Sequence, residues 1–134
     1  MPLHPTKYAD MLSKKMKDAN VNVWLINTGW SGGGYGVGKR MKLGYTRAMI
    51  TAALNGELND VEFVNHEVFG LAMPVSCPNV PNEILSPKNT WSNKEEYDKV
   101  ANDLSKKFNK NFEKFADYAS EEILAGAPSV TENV

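Results

Sequence analysis

The pattern of hydrophobic and polar positions predicts two helices in the first half of the chain, with an apolar strand between them. Residues 5–19 repeat apolar side chains at three- and four-residue intervals, the period of an amphipathic helix. Residues 21–26, VNVWLI, are rich in β-branched residues and predict a mostly buried strand of a parallel or mixed sheet. A second helix is expected over 45–56, where Gly56 can end it.

The second half is dominated by one long helix. Residues 92–95 spell the capping-box pattern S-x-x-E, and the apolar stripe behind them predicts a helix over 93–117 whose stripe lies in the core. Between the helices, residues 61–73 alternate in short pieces that suit one or two strands. The four prolines within 74–87 predict an irregular surface connection.

The C-terminal end is predicted to hold a short helical turn over 121–125, followed by a frayed tail over 127–134. Together the elements indicate an α/β chain, and 134 residues leave room for one domain with a modest core. Hydrophobic residues make up 42% and charged residues 23%, as is usual for a soluble domain.

Charge and cysteine content narrow the class of protein. A formal net charge of −1 gives no bulk field that would attract nucleic acid or an anionic membrane. The single cysteine, Cys77, excludes an internal disulfide framework and favours a reducing, cytoplasmic setting. No apolar run is long enough to cross a bilayer, and the N-terminus has no secretion signal. We therefore expect a cytoplasmic protein without a nucleic-acid or membrane partner.

The glycine-rich stretch NTGWSGGGYGVGKR, residues 27–40, holds six of the ten glycines. From Gly33 to Lys39 it matches the first seven positions of a phosphate-binding P-loop. The next position should be a Ser or Thr that holds magnesium, but it is Arg40, which cannot ligate a cation. A helix is not expected directly after the motif either. A small P-loop hydrolase is thus the least favoured function.

The same stretch is either a flexible surface loop or a ligand-binding loop. It follows the predicted strand at its carboxyl end, where open α/β sheets usually bind ligands. Arg40, Thr46 and Arg47 would surround a ligand with a cationic fork, a hydroxyl and a second cation.

Three segments, PLHPTKYADML, LINTGWSGGGYGVGKRMKLGYTRAMITAALNGEL and LSPKNTW, resemble the C-terminal part of ATP-dependent phosphoenolpyruvate carboxykinases. The resemblance runs from Pro2 to about Ala125. It implies the C-terminal fragment of a mixed-sheet nucleotide-binding domain with a long C-terminal helix, residues 1–126, and a tail over 127–134. The family's P-loop, its metal ligands and its oxaloacetate-binding groups would then lie upstream.

The resemblance carries the family's nucleotide contacts onto Arg40, Met41 and Thr46. Arg40 would stack on adenine or meet the phosphates, and Met41 would give the base an apolar contact. The Thr46 hydroxyl would bond the base edge, or else cap its own helix. Lys39 and Arg47 match the motif without being expected to touch the nucleotide. No catalytic residue and no metal ligand is expected in this chain.

The activity that the resemblance implies is gluconeogenic: oxaloacetate and ATP give phosphoenolpyruvate, carbon dioxide and ADP, with Mg²⁺ and Mn²⁺ in the parent enzyme. This chain would supply one wall of the ATP site and be inactive alone. A stand-alone, non-catalytic nucleotide-binding module is the alternative. An exposed sheet edge or apolar face would make the isolated chain self-associate. His4, His66 and Cys77 are expected to be structural.

Overall fold

The computed structural model describes residues 2–27 and 29–130, and over these residues it contains six helices and two small antiparallel sheets. The predicted α/β character and the long C-terminal helix are confirmed. Within this part of the chain no helix is both long and apolar enough to cross a membrane. In chain order the elements are α1 (Pro5–Ala19), β1 (Trp30–Ser31), β2 (Lys39–Arg40), α2 (Leu43–Leu54), β3 (Phe63–Asn65), β4 (Ala72–Pro74), α3 (Asn82–Leu85), α4 (Pro87–Thr90), α5 (Lys94–Ala116) and α6 (Glu121–Ala125).

The four predicted helices, α1, α2, α5 and α6, lie close to their predicted positions because their end signals are local, whereas α3 and α4 were not predicted. In α1, Pro5 occupies the first turn and the His4 ring accepts a hydrogen bond from the Thr6 N–H. The helix ends at Asn20, whose left-handed conformation (φ 47°) stops it. Helix α2 begins two residues before the predicted start, and Gly56 (φ 73°) lies just beyond its end, as expected.

The predicted strand over 21–26 is wrong for the described residues: residues 21–27 form no helix or strand and belong to no sheet. Val21, Val23 and Leu25 are 55%, 55% and 80% exposed, whereas Trp24 packs on the core and its ring lies 6.0 Å from that of Phe63. A strand forms only where another strand accepts its hydrogen bonds. Among the described residues no strand pairs with this segment, so its apolar sequence forms no strand.

The stripe on α5 enters the core only in part. Ala101 is buried, but Val100, Leu104 and Phe108 are 47%, 42% and 53% exposed, so the expectation that the stripe lies in the core is wrong for these three residues. A 23-residue helix is about 35 Å long, and the short elements of this fold cover only part of that length. Its N-cap is Asn93, one residue after the predicted Ser92, and the Asn93 side chain accepts a hydrogen bond from the Glu96 N–H at 3.0 Å.

Residues 74–87 are not merely a surface connection, because they supply half of the buried core. That core consists of Ala52, Leu58, Cys77 and Val80. Cys77 and Val80 form an isolated β-bridge, and helix α3 follows directly. Burial, together with the nearby Glu57 carboxylate, raises the pKa of the Cys77 thiol, so this cysteine is not activated.

The beginning of the expected tail is held by hydrogen bonds rather than frayed. The Ser105 hydroxyl donates to the Ser129 carbonyl at 2.7 Å, and the Asn109 amide donates to the Pro128 carbonyl at 3.0 Å. The Ser129 N–H in turn donates to the Val68 carbonyl at 2.7 Å. Residues 131–134 of the predicted tail lie outside the described residues.

The two predicted strands of 61–73 form an antiparallel hairpin, and His66 at its turn has a structural role. Its Nδ1 accepts hydrogen bonds from the N–H groups of Val68 (3.2 Å) and Phe69 (3.3 Å). The proton therefore lies on Nε2, which is 2.7 Å from the Tyr97 hydroxyl and donates to it. Burial lowers the pKa of His66, although Glu67 opposes the shift, and burial raises the pKa of Tyr97.

We expect His66 to make the fold less stable in mild acid. The pKa of His66 is lower in the folded than in the unfolded chain, so the neutral ring favours the folded state. The contribution of His66 to the free energy of unfolding is therefore complete above the unfolded pKa near 6.5, and it is lost as the pH falls through the folded pKa. The urea midpoint should therefore drop more between pH 7.5 and pH 5 in the unaltered chain than in His66→Gln, which cannot titrate. Equal drops in the two proteins would contradict this expectation.

Candidate functional site

The glycine-rich stretch folds as a β-hairpin. Strands β1 and β2 pair antiparallel, with Trp30 opposite Arg40 and Ser31 opposite Lys39. The Met41 N–H extends this pairing by donating to the Gly29 carbonyl at 3.0 Å, and the Gly38 N–H closes the tip by donating to the Gly34 carbonyl at 2.9 Å. Lys39 therefore lies in a strand, not at the N-terminus of a helix, which agrees with the rejection of a P-loop.

Two glycines are required by close backbone approaches. A Cβ at Gly38 would overlap the carbonyl oxygen of Gly33 and lie 2.8 Å from that of Ser31. Gly32 has a φ of 81°, and a Cβ there would lie 2.9 Å from the Thr90 carbonyl oxygen. The tight tip and its contact with α4 thus depend on the absence of side chains.

An open cavity of about 520 Å³ lies beside the hairpin. The hairpin forms one side, and the start of α2, α3 and the end of α4 form the others. Tyr45 and Ile84 line the cavity and also pack against the buried core, so the core fixes two of its walls. The lining residues are Ser31, Gly32, Val37, Lys39, Arg40, Met41, Lys42, Tyr45, Glu83, Ile84 and Thr90.

The cavity is rich in positive charge. Lys39, Arg40 and Lys42 contribute three cations against the single carboxylate of Glu83. Within residues 2–27 and 29–130, none of these three cations takes part in an ion pair. The Lys42 ammonium lies 5.6 Å from the centre of the Tyr45 ring, which places an aromatic surface next to the charge. Such a lining suits an anionic ligand that carries an aromatic group.

Two of the three predicted nucleotide contacts meet in this cavity. Arg40 is an exposed residue of β2, and Met41 follows it half-buried. Thr46 is buried in the first turns of α2 and is not among the lining residues. Its alternative role as a helix cap is wrong, because Lys42 is the N-cap and the helix starts at Leu43.

Several lining residues were not anticipated. Lys39 lines the cavity although no contact was expected of it. Lys42 and Tyr45 also line it, because only two residues separate the hairpin from α2 and the start of α2 therefore lies beside the hairpin. Glu83 and Thr90 come from the proline-rich stretch and its end, which the prolines alone suggested to be surface. For Thr90 a signal existed, because it lies in the LSPKNTW segment that carries the family resemblance.

A divalent cation finds no ligand set here. Within the described part of the chain, no three His, Cys, Asp or Glu side chains lie close enough together to hold a metal. Three of the four charged side chains that line the cavity are cations, which repel Mg²⁺ and Mn²⁺ and cannot ligate them, so the lining does not suit these metals.

Comparison with known proteins gives consistent matches. The family model "Phosphoenolpyruvate carboxykinase" matches residues 1–83. The protein named phosphoenolpyruvate carboxykinase (ATP) from Flavobacterium johnsoniae is 72% identical over 132 residues, which is 98% of this chain and 24% of that protein. Proteins of the same name from Christiangramia forsetii and Brevibacillus brevis are 62% and 59% identical over 96% and 94% of this chain, again 24% of their own lengths.

The chain thus spans about a quarter of the length of the curated relatives that it matches. The matched region contains the whole hairpin and both strands of the cavity wall, as well as helix α2. From the family match and these identities, the chain belongs to the phosphoenolpyruvate carboxykinase family.

Proposed function

We propose that this chain is part of an ATP-dependent phosphoenolpyruvate carboxykinase and that the cavity beside the hairpin forms one wall of its ATP site. The observation that carries the proposal is the cluster of cations around Arg40, which form no ion pair with any described residue and lie next to the Tyr45 ring, in a member of this family. Phosphates and a base would find complementary charge and an aromatic surface there. Residues 1–126 would then be part of a nucleotide-binding domain.

The proposed reaction is the conversion of oxaloacetate and ATP to phosphoenolpyruvate, carbon dioxide and ADP, as in gluconeogenesis in the cytoplasm. The bond to the departing carboxylate breaks, and its electron pair generates an enolate. The enolate oxygen attacks the γ-phosphorus, and the bond from that phosphorus to the bridging oxygen breaks to release ADP. Oxaloacetate and the divalent cations, Mg²⁺ and Mn²⁺, would be held by other parts of the longer polypeptide.

This chain's own residues would position the nucleotide. The Arg40 guanidinium would stack on adenine or bind the phosphates, and Met41 would contact the base. Thr46 follows the cavity residue Tyr45 in the first turn of α2 but does not itself line the cavity. Its hydroxyl would therefore bond the base only if the base edge extends from the cavity to this turn. Holding ATP in one orientation lowers the entropic part of the barrier without any general base from this chain.

The exposed apolar side chains fit a piece of a larger fold. Val21, Val23 and Leu25 are exposed in a segment that has no strand partner among the described residues. We propose that a strand elsewhere in the longer polypeptide covers them, and that the isolated chain self-associates through them. Sedimentation as a monomer at every concentration would contradict self-association.

The test is a chimera in which this chain replaces the matching 132 residues of the Flavobacterium johnsoniae protein, hereafter the chimera. We expect the chimera to convert oxaloacetate and ATP to phosphoenolpyruvate. A protein that lacks the segment and the 134-residue chain alone serve as controls, and neither should turn over. A folded chimera without turnover would contradict the proposal.

The cation cluster also favours a second candidate, a stand-alone nucleotide-binding module. The isolated chain would then bind ATP, and Arg40→Ala would abolish the binding. Calorimetric titration of the 134-residue chain with ATP separates the two candidates, because the carboxykinase proposal expects little or no binding without the rest of the site.

A further inference from the structure

Helix α4 links the glycine hairpin to the long helix. On one side, the Thr90 hydroxyl accepts a hydrogen bond from the Gly32 N–H at 3.0 Å and donates one to the Pro87 carbonyl at 2.7 Å. On the other side, α4 is tied to α5 by the ion pair of Lys88 with Asp98 at 2.7 Å. Thr90 therefore connects the hairpin to an element that is itself anchored.

A second set of contacts fixes the end of α4. The Lys94 ammonium, at the start of α5, donates to the Lys88 carbonyl at 2.7 Å and to the Trp91 carbonyl at 3.0 Å. The Trp91 ring lies 5.6 Å from the Tyr97 ring in an edge-to-face arrangement. The backbone around Thr90 is thus held on the α5 side by polar and aromatic contacts.

The hairpin approaches Thr90 as closely as its backbone allows. Gly32 has a left-handed φ of 81°, and a Cβ at this position would lie 2.9 Å from the Thr90 carbonyl oxygen. Gly32 directly follows Ser31, which pairs with Lys39, and the next pair joins Trp30 to Arg40. Arg40 therefore pairs with Trp30, which is two residues before Gly32, the residue that bonds to Thr90.

We propose that Thr90 is a positioning residue for the candidate nucleotide site. Its hydroxyl fixes the backbone at Gly32, the residue that follows β1, and through the β1–β2 pairing it sets where Arg40 and Met41 face the cavity. Both Thr90 and Gly32 line that cavity, so a loosened contact would widen it directly. The consequence for ATP rests on the proposed function, whereas the contact itself does not.

The contact is tested in the 134-residue chain without ATP. Thr90→Val keeps the shape of the side chain but removes both hydrogen bonds, and Thr90→Ser keeps both. Because the partly buried Gly32 N–H loses its acceptor, the Gly32 amide should exchange about tenfold faster in the Val variant. In the Ser variant the Gly32 amide should exchange at close to its original rate.

Amides of α5 and urea unfolding show whether the change is local. The proposal is overturned if Gly32 exchange is unchanged in Thr90→Val, if Thr90→Ser accelerates it equally, or if all amides accelerate together. These results do not depend on any nucleotide.

The functional consequence is measured in the chimera. We expect Thr90→Val to raise the KM for ATP about tenfold with kcat little changed, and Thr90→Ser to restore the KM. Accelerated Gly32 exchange with an unchanged KM would overturn the positioning role. A chimera without any activity would overturn the proposed function, while the exchange data would still decide whether Thr90 holds the hairpin.

Discussion

Replacing Arg40 by alanine in the chimera is expected to raise the KM for ATP by about 10- to 100-fold. Charge-assisted hydrogen bonds are worth about 1.5–3 kcal/mol, and each 1.4 kcal/mol changes affinity tenfold. Arg40 lines the cavity and forms no ion pair with any described residue, so its loss would not leave a partner carboxylate unpaired. The effect should therefore reflect ligand binding rather than folding. Steady-state kinetics at saturating oxaloacetate measure it.

Arg47 provides a matched control. It is an exposed arginine of α2, seven positions further along the chain, and it does not line the cavity. Arg47→Ala should leave the KM for ATP nearly unchanged, whereas Arg40→Lys should give an intermediate value because an ammonium cannot bind two oxygens in a planar fork or stack on a base. Equal effects of the two alanine substitutions would contradict a specific role for Arg40.

Replacing Gly38 by alanine is expected to disrupt the glycine hairpin. The new methyl group would overlap the Gly33 carbonyl and press on the Ser31 carbonyl, which are backbone atoms that cannot rotate away. Overpacking of this kind costs about 1–3 kcal/mol. Because the hairpin carries Arg40, the same substitution in the chimera should also raise the KM for ATP.

The control for this substitution lies in the same loop. Gly34 has open space where a Cβ would be, and its φ is not in the left-handed region. Gly34→Ala should therefore change the free energy of unfolding by about 0.5 kcal/mol at most. Urea unfolding measures the free energy, and hydrogen exchange of the Met41 amide, which bonds to Gly29 across the hairpin, reports on the hairpin itself. If the Met41 amide in Gly38→Ala were as well protected from exchange as in the unaltered chain, the expectation would be contradicted.

The sequence by itself determined four of the six described helices, α1, α2, α5 and α6, and the family. Pro5 and Gly56 mark helix ends through backbone preferences that act within a few residues. The departure from the P-loop motif at Arg40 is also local, and the hairpin agrees with it. The motifs that suggested the family are likewise read along the chain, and the family match confirms them.

Predictions that depended on distant partners were wrong. Residues 21–26 have the composition of a buried strand, but a strand requires a neighbour, and none exists among the described residues. The α5 stripe has helical periodicity, yet burial requires a surface to cover Leu104 and Phe108. Conversely, Cys77 lies in a proline-rich stretch and is nevertheless buried, because the packing around Ala52 encloses it.

The candidate site shows the same division. The sequence identified Arg40 and Met41 as neighbours on one loop, but it did not reveal that Glu83 and Thr90, more than forty residues away, complete the cavity. Chain positions this far apart are brought together by packing, which no local pattern encodes. The hydrogen bond between Thr90 and Gly32 spans 58 residues, and only the tertiary structure decided it, because it depends on where α4 lies against α5.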